Sequence, residues 1–136
     1  MNESTKTRAF LIFCAVGLVP IALGYGARPS LTLDALFGIT VDTTNLTHIM
    51  RAVMGLYLGM VVFWLMGAFR QSMARPALAA CAVFMLGLAA GRLLSFVLDG
   101  LPHWLLVVYA VLEIVLGLIA IALMKGHSAR QDPAPH

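Results

Sequence analysis

The chain has 136 residues and a net charge of +3, and 61% of its residues are hydrophobic while only 11% are charged. Soluble domains have roughly 45–50% apolar and about 25% charged residues, and small domains bury the smallest share of their surface. These values exclude a soluble globular protein. They also exclude intrinsic disorder, which requires low hydrophobicity and high charge. The composition predicts a polytopic membrane protein whose first partner is the lipid bilayer.

Four apolar stretches approach the length of about 20 residues that an α-helix needs to cross a bilayer. They run over residues 9–26, 48–69, 77–98 and 104–124. The short connections 70–76 and 99–103 predict that the second, third and fourth helices are antiparallel neighbours. The predicted fold class is therefore an all-α membrane protein with an antiparallel bundle of four transmembrane helices. A segment at 1–8 precedes the bundle, and a flexible tail at 125–136 follows it.

The one long connection covers residues 27–47, and its segment from Leu31 to Ile39 is more apolar than a solvated loop. It is interpreted either as a lid or re-entrant piece over the bundle, or as a short amphipathic segment on the membrane surface. The second interpretation is favoured. Residues 42–45 are Asp, Thr, Thr and Asn, which commonly precede helices, so they predict the start of the second membrane helix.

The basic residues indicate orientation, because they are enriched in cytoplasmic connections. Six of them lie at one end of a four-span bundle: Lys6, Arg8, Arg70, Arg75, Lys125 and Arg130. The other end carries Arg28 with Asp34, Asp42 and Asp99. Both termini are therefore predicted to be cytoplasmic, with the long connection outside. The first span can alternatively be interpreted as a cleaved signal peptide, which would leave three spans. Trp64 and Trp104 are predicted to lie near opposite interfaces.

Three charged residues lie within the apolar spans, namely Arg51, Arg92 and Glu113. Each costs about 2.5–3.5 kcal/mol at the centre of a membrane helix, so such residues usually face the bundle interior and pair with one another. At about 1.5 Å per residue, all three fall in the outer half of the bilayer. A contact between Arg92 and Glu113 is expected across the short connection between their helices. Arg51 either completes a triad or extends outward towards Asp99 and His48.

Polar residues at helical spacing extend this intramembrane polar cluster. Tyr109 lies one turn before Glu113, Ser95 and Asp99 follow Arg92 on its face, and His48 precedes Arg51. Two G-x-x-x-G patterns, Gly55 with Gly59 and Gly87 with Gly91, predict close packing of the second and third helices. The cluster is interpreted either as a buried ion pair that fixes helix register, or as an outward-opening pocket that holds a ligand head group or moves a proton.

Other kinds of site have no support in the sequence. No Ser/His/acid spacing, His-rich metal motif or glycine-rich phosphate loop is present, so no catalytic residue and no metal site are predicted. His48 and His103 are interpreted as interfacial anchors. Cys14 and Cys81 are isolated in apolar runs and are interpreted as small buried hydrophobes. The scattered basic residues give no phosphate-binding stripe, so no nucleic-acid partner is expected.

Short motifs along residues 8–124 resemble a known family. They are Arg51-Ala52-x-x-Gly55-x-Tyr57, then Gly91-Arg92-x-x-Ser95-x-x-x-Asp99-Gly100-x-Pro102, and then Glu113. This pattern resembles small bacterial four-helix membrane proteins of the domain of unknown function 4345, and it is similar to the wider DoxX-like group. The resemblance implies a bacterial inner-membrane fold, adds Tyr57 to the polar cluster and implies no established activity. DoxX-like relatives include subunits associated with quinone-linked sulfur oxidation, which favours a quinone or lipid ligand by analogy.

Three functions follow as hypotheses. The first is a non-enzymatic binding module, in which the polar cluster holds an amphipathic ligand such as a quinone or a lipid head group. The second is a structural or accessory subunit, packed in a homo-oligomer or a larger membrane complex. The third is a small proton-coupled transporter, although small multidrug exporters place their essential glutamate in the first helix, which here has no acidic residue. The sequence identifies no cofactor.

Overall fold

The computed structural model describes residues 3–128. Five α-helices follow one another: α1 (Glu3–Gly26), α2 (Pro29–Phe37), α3 (Thr44–Phe69), α4 (Gln71–Leu98) and α5 (Trp104–Ser128). All except α2 are long and apolar enough to cross a membrane. The described residues include no strand. The predicted fold class, a helical bundle with four candidate membrane spans, is confirmed.

Four helix boundaries extend beyond the predicted spans, and one of them is the start of α3 at Thr44 rather than at residue 48. Helix α1 already begins at Glu3, and α5 continues to Ser128, so part of each predicted terminal segment is helical. Helix α4 begins at Gln71, which leaves Arg70 alone between α3 and α4. Residues 71–75 are mostly good helix formers, and Pro76 costs only one backbone hydrogen bond near the end of the bundle. The rest of the predicted tail, 129–136, lies outside the described residues.

The long connection contains the short helix α2. Pro29 occupies its first turn, where a missing N–H costs nothing, and Gly38 ends it with φ of 66°. The Gly38 and Ile39 amides donate to the Asp34 and Leu33 carbonyls, which closes the helix end. Pro29 and Leu33 are buried against the bundle while Leu31 and Leu36 are exposed. The predicted apolar segment is thus a short helix with apolar side chains on both its buried and its exposed faces, and it lies at one end of the bundle, called here the α2 end.

The start of α3 agrees with the sequence pattern. Thr43 is the N-cap residue, and its hydroxyl accepts a hydrogen bond from the Leu46 amide at 3.2 Å. This bond satisfies one of the amides that a helix leaves free in its first turn.

The helices pack in a definite order. The most extensive contact is between α1 and α3, α4 packs against both α3 and α5, and α1 makes smaller contacts with α4 and α5. Small residues allow the close contacts. A Cβ on Gly67 would collide with the Ala77 side chain, and one on Gly26 would collide with Met54. The core therefore lies where α1, α3 and α4 meet.

The two tryptophans differ in their surroundings, and the prediction about the G-x-x-x-G glycines is wrong. Trp64 is fully buried and packs edge-on against Phe84, with 5.6 Å between ring centroids, because its side chain points into the bundle. Trp104, in contrast, is two-thirds exposed. The four glycines of the G-x-x-x-G patterns, Gly55, Gly59, Gly87 and Gly91, are exposed, and a Cβ on any of them would meet no atom within 4 Å. They face outward rather than packing α3 against α4.

Candidate functional site

An ion pair joins α4 to α5 inside the apolar part of the bundle. Arg92 Nε donates to both carboxylate oxygens of Glu113, at 3.0 and 2.9 Å. Arg92 lies six residues before the end of α4, and Glu113 lies nine residues after the start of α5, so the two helices bring them to similar depth. The side chains are 18% and 10% exposed. The expected contact between Arg92 and Glu113 is present.

All three tyrosines of the chain surround this pair. The Arg92 guanidinium lies 5.7 Å from the centre of the Tyr109 ring, within the range of a cation–π contact. The Tyr25 hydroxyl lies beside the guanidinium, and Tyr57 lines the same cleft as Arg92 and Glu113. The Tyr25 and Tyr57 rings meet edge to face at 5.8 Å. Four helices therefore contribute to one aromatic and charged group, called here the Arg92 cluster: Tyr25, Tyr57, Arg92, Tyr109 and Glu113.

Sequence reasoning missed Tyr25. Its helix, α1, carries no charged residue between Arg8 and Arg28, so nothing marked that helix as part of a polar site. The signal that was available is compositional. Tyrosine occurs three times in 136 residues, and each copy lies within a long apolar helix. A buried tyrosine usually finds a polar partner, which predicts that the hydroxyls gather near the available charges.

The Arg92 cluster lies at a cleft between α1 and α5, with α4 and Tyr57 of α3 behind it. The cleft has a volume of about 140 Å³, and most of its wall is apolar. Its lining residues are Phe13, Cys14, Gly17, Leu18, Ile21, Tyr57, Met85, Leu88, Arg92, Tyr109, Leu112, Glu113 and Leu116. Phe13 and Leu112 are 65% and 49% exposed, so they stand at its outward-facing mouth on α1 and α5.

A second cavity continues the cleft towards the α2 end. It has a volume of about 250 Å³ and is lined by α1, α2 and α5. Ile21 and Tyr109 line both spaces, so the two are neighbours. Leu33, Leu36 and Phe37 of α2 form its roof. Phe37 also meets the His103 ring at 5.9 Å, so α2 reaches across to the connection between α4 and α5.

The other residues predicted for the polar cluster lie elsewhere. Arg51 and His48 line a separate groove beside the start of α2. The Ser95 hydroxyl donates to Asp99 at 2.7 Å, and this exposed pair belongs to the end of α4. Arg51 therefore does not complete a triad with Arg92 and Glu113. Among the predicted residues, only Tyr57, Arg92, Tyr109 and Glu113 come together.

The two cysteines are not isolated in space. Cys14 on α1 and Cys81 on α4 are both buried free thiols, and they lie close enough for their side chains to influence each other. Cys14 also lines the cleft. Sixty-seven residues separate them in the sequence, so only the packing of α1 on α4 brings them together. The described residues contain no group of three or more His, Cys, Asp or Glu side chains able to hold a metal ion.

Comparison with known proteins gives one match. The family model described as Domain of unknown function (DUF4345) matches residues 6–124, which include all five residues of the Arg92 cluster. No curated protein and no solved structure matches the chain significantly. The family model covers most of the chain, and the chain therefore belongs to the DUF4345 family.

Proposed function

We propose that this membrane protein binds a small amphipathic molecule in the cleft between α1 and α5. The observation that carries the proposal is the way in which Arg92 is paired. It donates to Glu113 only through Nε, which holds one of the five N–H donors of an arginine. The donors of the two terminal nitrogens lie beyond the ion pair, next to the Tyr25 hydroxyl and the wall of an apolar cleft.

A head group with oxygen acceptors suits these donors. Carbonyl, carboxylate and phosphate oxygens all accept hydrogen bonds from a guanidinium, and charge-assisted bonds of this kind are the strong ones. The tyrosine rings add edges and faces against which a ring or a carbonyl can pack. A quinone or a lipid head group meets these requirements, and a quinone fits the aromatic surroundings better.

An apolar body suits the rest of the cleft. Phe13, Leu88, Leu112 and Leu116 line it beside the cluster. Its mouth lies between two helices that are each able to cross a membrane, so a lipid-soluble molecule would enter sideways from the bilayer. Glu113 then holds Arg92 in place and balances its charge within an apolar surrounding.

The test fills the cleft without touching the ion pair. Gly17 lines the cleft, and a Cβ there meets no atom within 4 Å, so Gly17→Leu places its side chain in free space. Gly87→Leu is the matched control, because Gly87 is equally open but lines none of the three described cavities. Native mass spectrometry follows the retention of decylubiquinone, with phosphatidylglycerol as the alternative probe, by each purified variant.

We expect the wild type and Gly87→Leu to retain the probe, and Gly17→Leu and Arg92→Gln to lose it. Equal retention by all four proteins would contradict binding in the cleft. If the wild type retains neither probe but carries another protein chain that Glu113→Gln releases, the accessory-subunit hypothesis replaces this one. Resistance to cationic drugs that depends on Glu113 would instead favour the transporter hypothesis.

We also propose that the protein lies in a bacterial inner membrane with both termini cytoplasmic. Lys6, Arg8, Arg70, Arg75 and Lys125 support this, since they belong to the end of the bundle opposite α2. The test uses Ser30→Cys and Ser72→Cys, both at exposed positions, in a chain whose own cysteines are buried. A membrane-impermeant maleimide should label Ser30→Cys in intact cells and Ser72→Cys only after permeabilisation. The reverse pattern would overturn the orientation.

A further inference from the structure

A polar groove at the α2 end is separate from the cleft and from the function proposed for it. It has a volume of about 580 Å³ and lies between the first turns of α2 and α3. This space, called here the basic groove, is lined by Ala27, Arg28, Pro29, Ser30, Leu31, Val41, Asp42, Thr43, Thr44, Thr47, His48 and Arg51. It shares no lining residue with the cleft or with the cavity beneath α2.

The charges of the basic groove are mostly positive. Arg28, His48 and Arg51 line it, and Asp42 is its only acidic residue. Within the described part of the chain, the side chains of Arg28, His48 and Arg51 form no hydrogen bond or ion pair. Two arginines and one carboxylate therefore line the same groove. This excess of positive charge makes the groove a favourable place for an anion.

The backbone adds to this preference. Helices α2 and α3 both begin at the groove, and the first amides of a helix have no partner within the helix. In α2, Pro29 has no amide hydrogen and the Leu31 amide donates to the Arg28 carbonyl, so only the Ser30 amide of this turn adds a donor. The Thr43 hydroxyl satisfies the Leu46 amide, which leaves the earlier amides of α3 free. The positive ends of two helix dipoles thus point to the same space as the two guanidinium groups. The Thr44 side chain also lines this space and brings one more hydroxyl group.

The position of the groove on the bundle suits a phosphate group. It lies at the first turn of α3 and beside α2, whose exposed Leu31 and Leu36 suit the membrane surface. With the four long helices across a bilayer, this end of the bundle would lie near the lipid phosphates. The groove volume also exceeds what a bare phosphate needs, and guanidinium groups bind phosphate oxygens in pairs.

We propose that the basic groove binds a phosphate group through Arg28, Arg51 and His48, either as the head group of an anionic lipid or as free phosphate. The groove thereby gives the protein a site for phosphate at the membrane surface, independent of the ligand in the cleft. It also explains two arginines at an end of the bundle that otherwise carries Asp34, Asp42 and Asp99.

The experiment uses the full chain purified in an uncharged maltoside detergent and freed of lipid. One arm measures retention of added phosphatidylglycerol by native mass spectrometry, with phosphatidylcholine for comparison. The other arm measures the shift in thermal unfolding on titration with inorganic phosphate, with chloride at equal ionic strength as reference. The variant is Arg28→Gln with Arg51→Gln. The matched control is Arg70→Gln with Arg75→Gln, which removes the same charge from exposed positions at the opposite end.

We expect the wild type and the Arg70/Arg75 control to bind alike and the Arg28/Arg51 variant to bind roughly tenfold more weakly, or not at all. The variant Arg28→Lys with Arg51→Lys should fold and recover part of the binding, which separates lost binding from lost structure. If the Arg28/Arg51 variant loses only the binding of phosphatidylglycerol, the groove binds a lipid head group. If the variant also loses the shift with inorganic phosphate, the groove binds phosphate in either form. The proposal is overturned if the wild type binds neither probe, or if both double variants weaken binding equally. Gly17→Leu should leave the thermal shift with inorganic phosphate unchanged, because Gly17 lines the cleft and not the groove, so failure in this arm is distinct from failure of the cleft proposal.

Discussion

Helix α1 has two contrasting neighbours. Along α3 it packs closely, and at Gly26 the helix backbones are so near that a Cβ would collide with Met54. Towards α5 it makes few contacts and borders the cleft, and at Gly17 a Cβ would meet nothing within 4 Å. The same residue type therefore serves two purposes on one helix. Glycine brings helices together where small partners face it, and it leaves space where no partner does.

The difference has a physical origin in α5. This helix is attached to α4 by the Arg92–Glu113 pair and by the contact of Gly117 with Leu86, and not to α3. Helix α1 has its own large contact with α3. The space between α1 and α5 is thus bounded by two pairs of helices that are each stabilised separately, so it can remain open without loss of the fold.

The largest expected effect on the free energy of unfolding comes from replacing only one of the two residues of the ion pair. Arg92→Leu leaves the buried Glu113 without its partner, and removing one member of a buried pair costs about 3 kcal/mol. The free energy of unfolding can be measured by titrating the detergent-solubilised protein with sodium dodecyl sulfate and following circular dichroism.

The double variant Arg92→Leu with Glu113→Leu gives the control for this measurement. Most of the lost stability should return, because neither charge is then left unpaired in an apolar surrounding. If the losses for Arg92→Leu and Glu113→Leu simply add in the double variant, the pair does not hold α5 against α4, and the cleft stays open for another reason.

A smaller effect distinguishes the close contact from the outward-facing glycines. A Cβ on Gly67 would collide with Ala77 and approach the Met73 carbonyl oxygen, neither of which can move without a helix shift. Gly67→Ala should therefore lower the free energy of unfolding by about 2 kcal/mol. Gly59→Ala on the same helix meets no atom and should be neutral or slightly stabilising. Equal losses in the two variants would remove the distinction between these positions.

The contacts of the glycines also show how much of the fold could be predicted from the sequence. Hydropathy and length sufficed for the four spans, because a bilayer imposes both on any crossing helix. The pattern G-x-x-x-G did not reveal which glycines make contacts. Spacing places Gly55 and Gly59 on one face of α3, but only the tertiary packing decides that Gly67 faces a neighbour and they do not.

The site was predictable in part for a similar reason. Placing the charges of Arg92 and Glu113 in an apolar span costs free energy unless they pair, and the short connection between their helices limits where they can meet. Arg51 carries the same charge, yet it lies only one and a half to two turns into α3, where its side chain lines the basic groove instead. Tyr25 and the Cys14–Cys81 contact depend on how α1 packs against α4 and α3, and no local pattern encodes that arrangement.

The contact between α4 and α5 should be less sensitive than that between α3 and α4. A Cβ on Gly117 would meet only the Leu86 side chain, with its Cγ at 2.6 Å, and a half-buried leucine can rotate away. We expect Gly117→Ala to cost about 1 kcal/mol in the same unfolding measurement, with Gly87→Ala as an open control on the helix that carries Leu86. A loss as large as that for Gly67→Ala would mean that α5 is packed as rigidly as the core.

The smallest expected effect concerns the aromatic wall of the cleft. Tyr109→Phe keeps the ring beneath the Arg92 guanidinium, whereas Tyr109→Leu removes it, so the difference between these two variants isolates the cation–π contact. We expect that difference to be about 0.5–1 kcal/mol in unfolding free energy, since the guanidinium lies 5.7 Å from the ring centre, near the outer limit of such contacts. Because Tyr109 borders the cleft rather than a packed interface, both variants should retain the full fold. Indistinguishable stabilities would show that the ring serves as cleft wall alone, and a loss of several kcal/mol in either variant would place Tyr109 in the structural core instead.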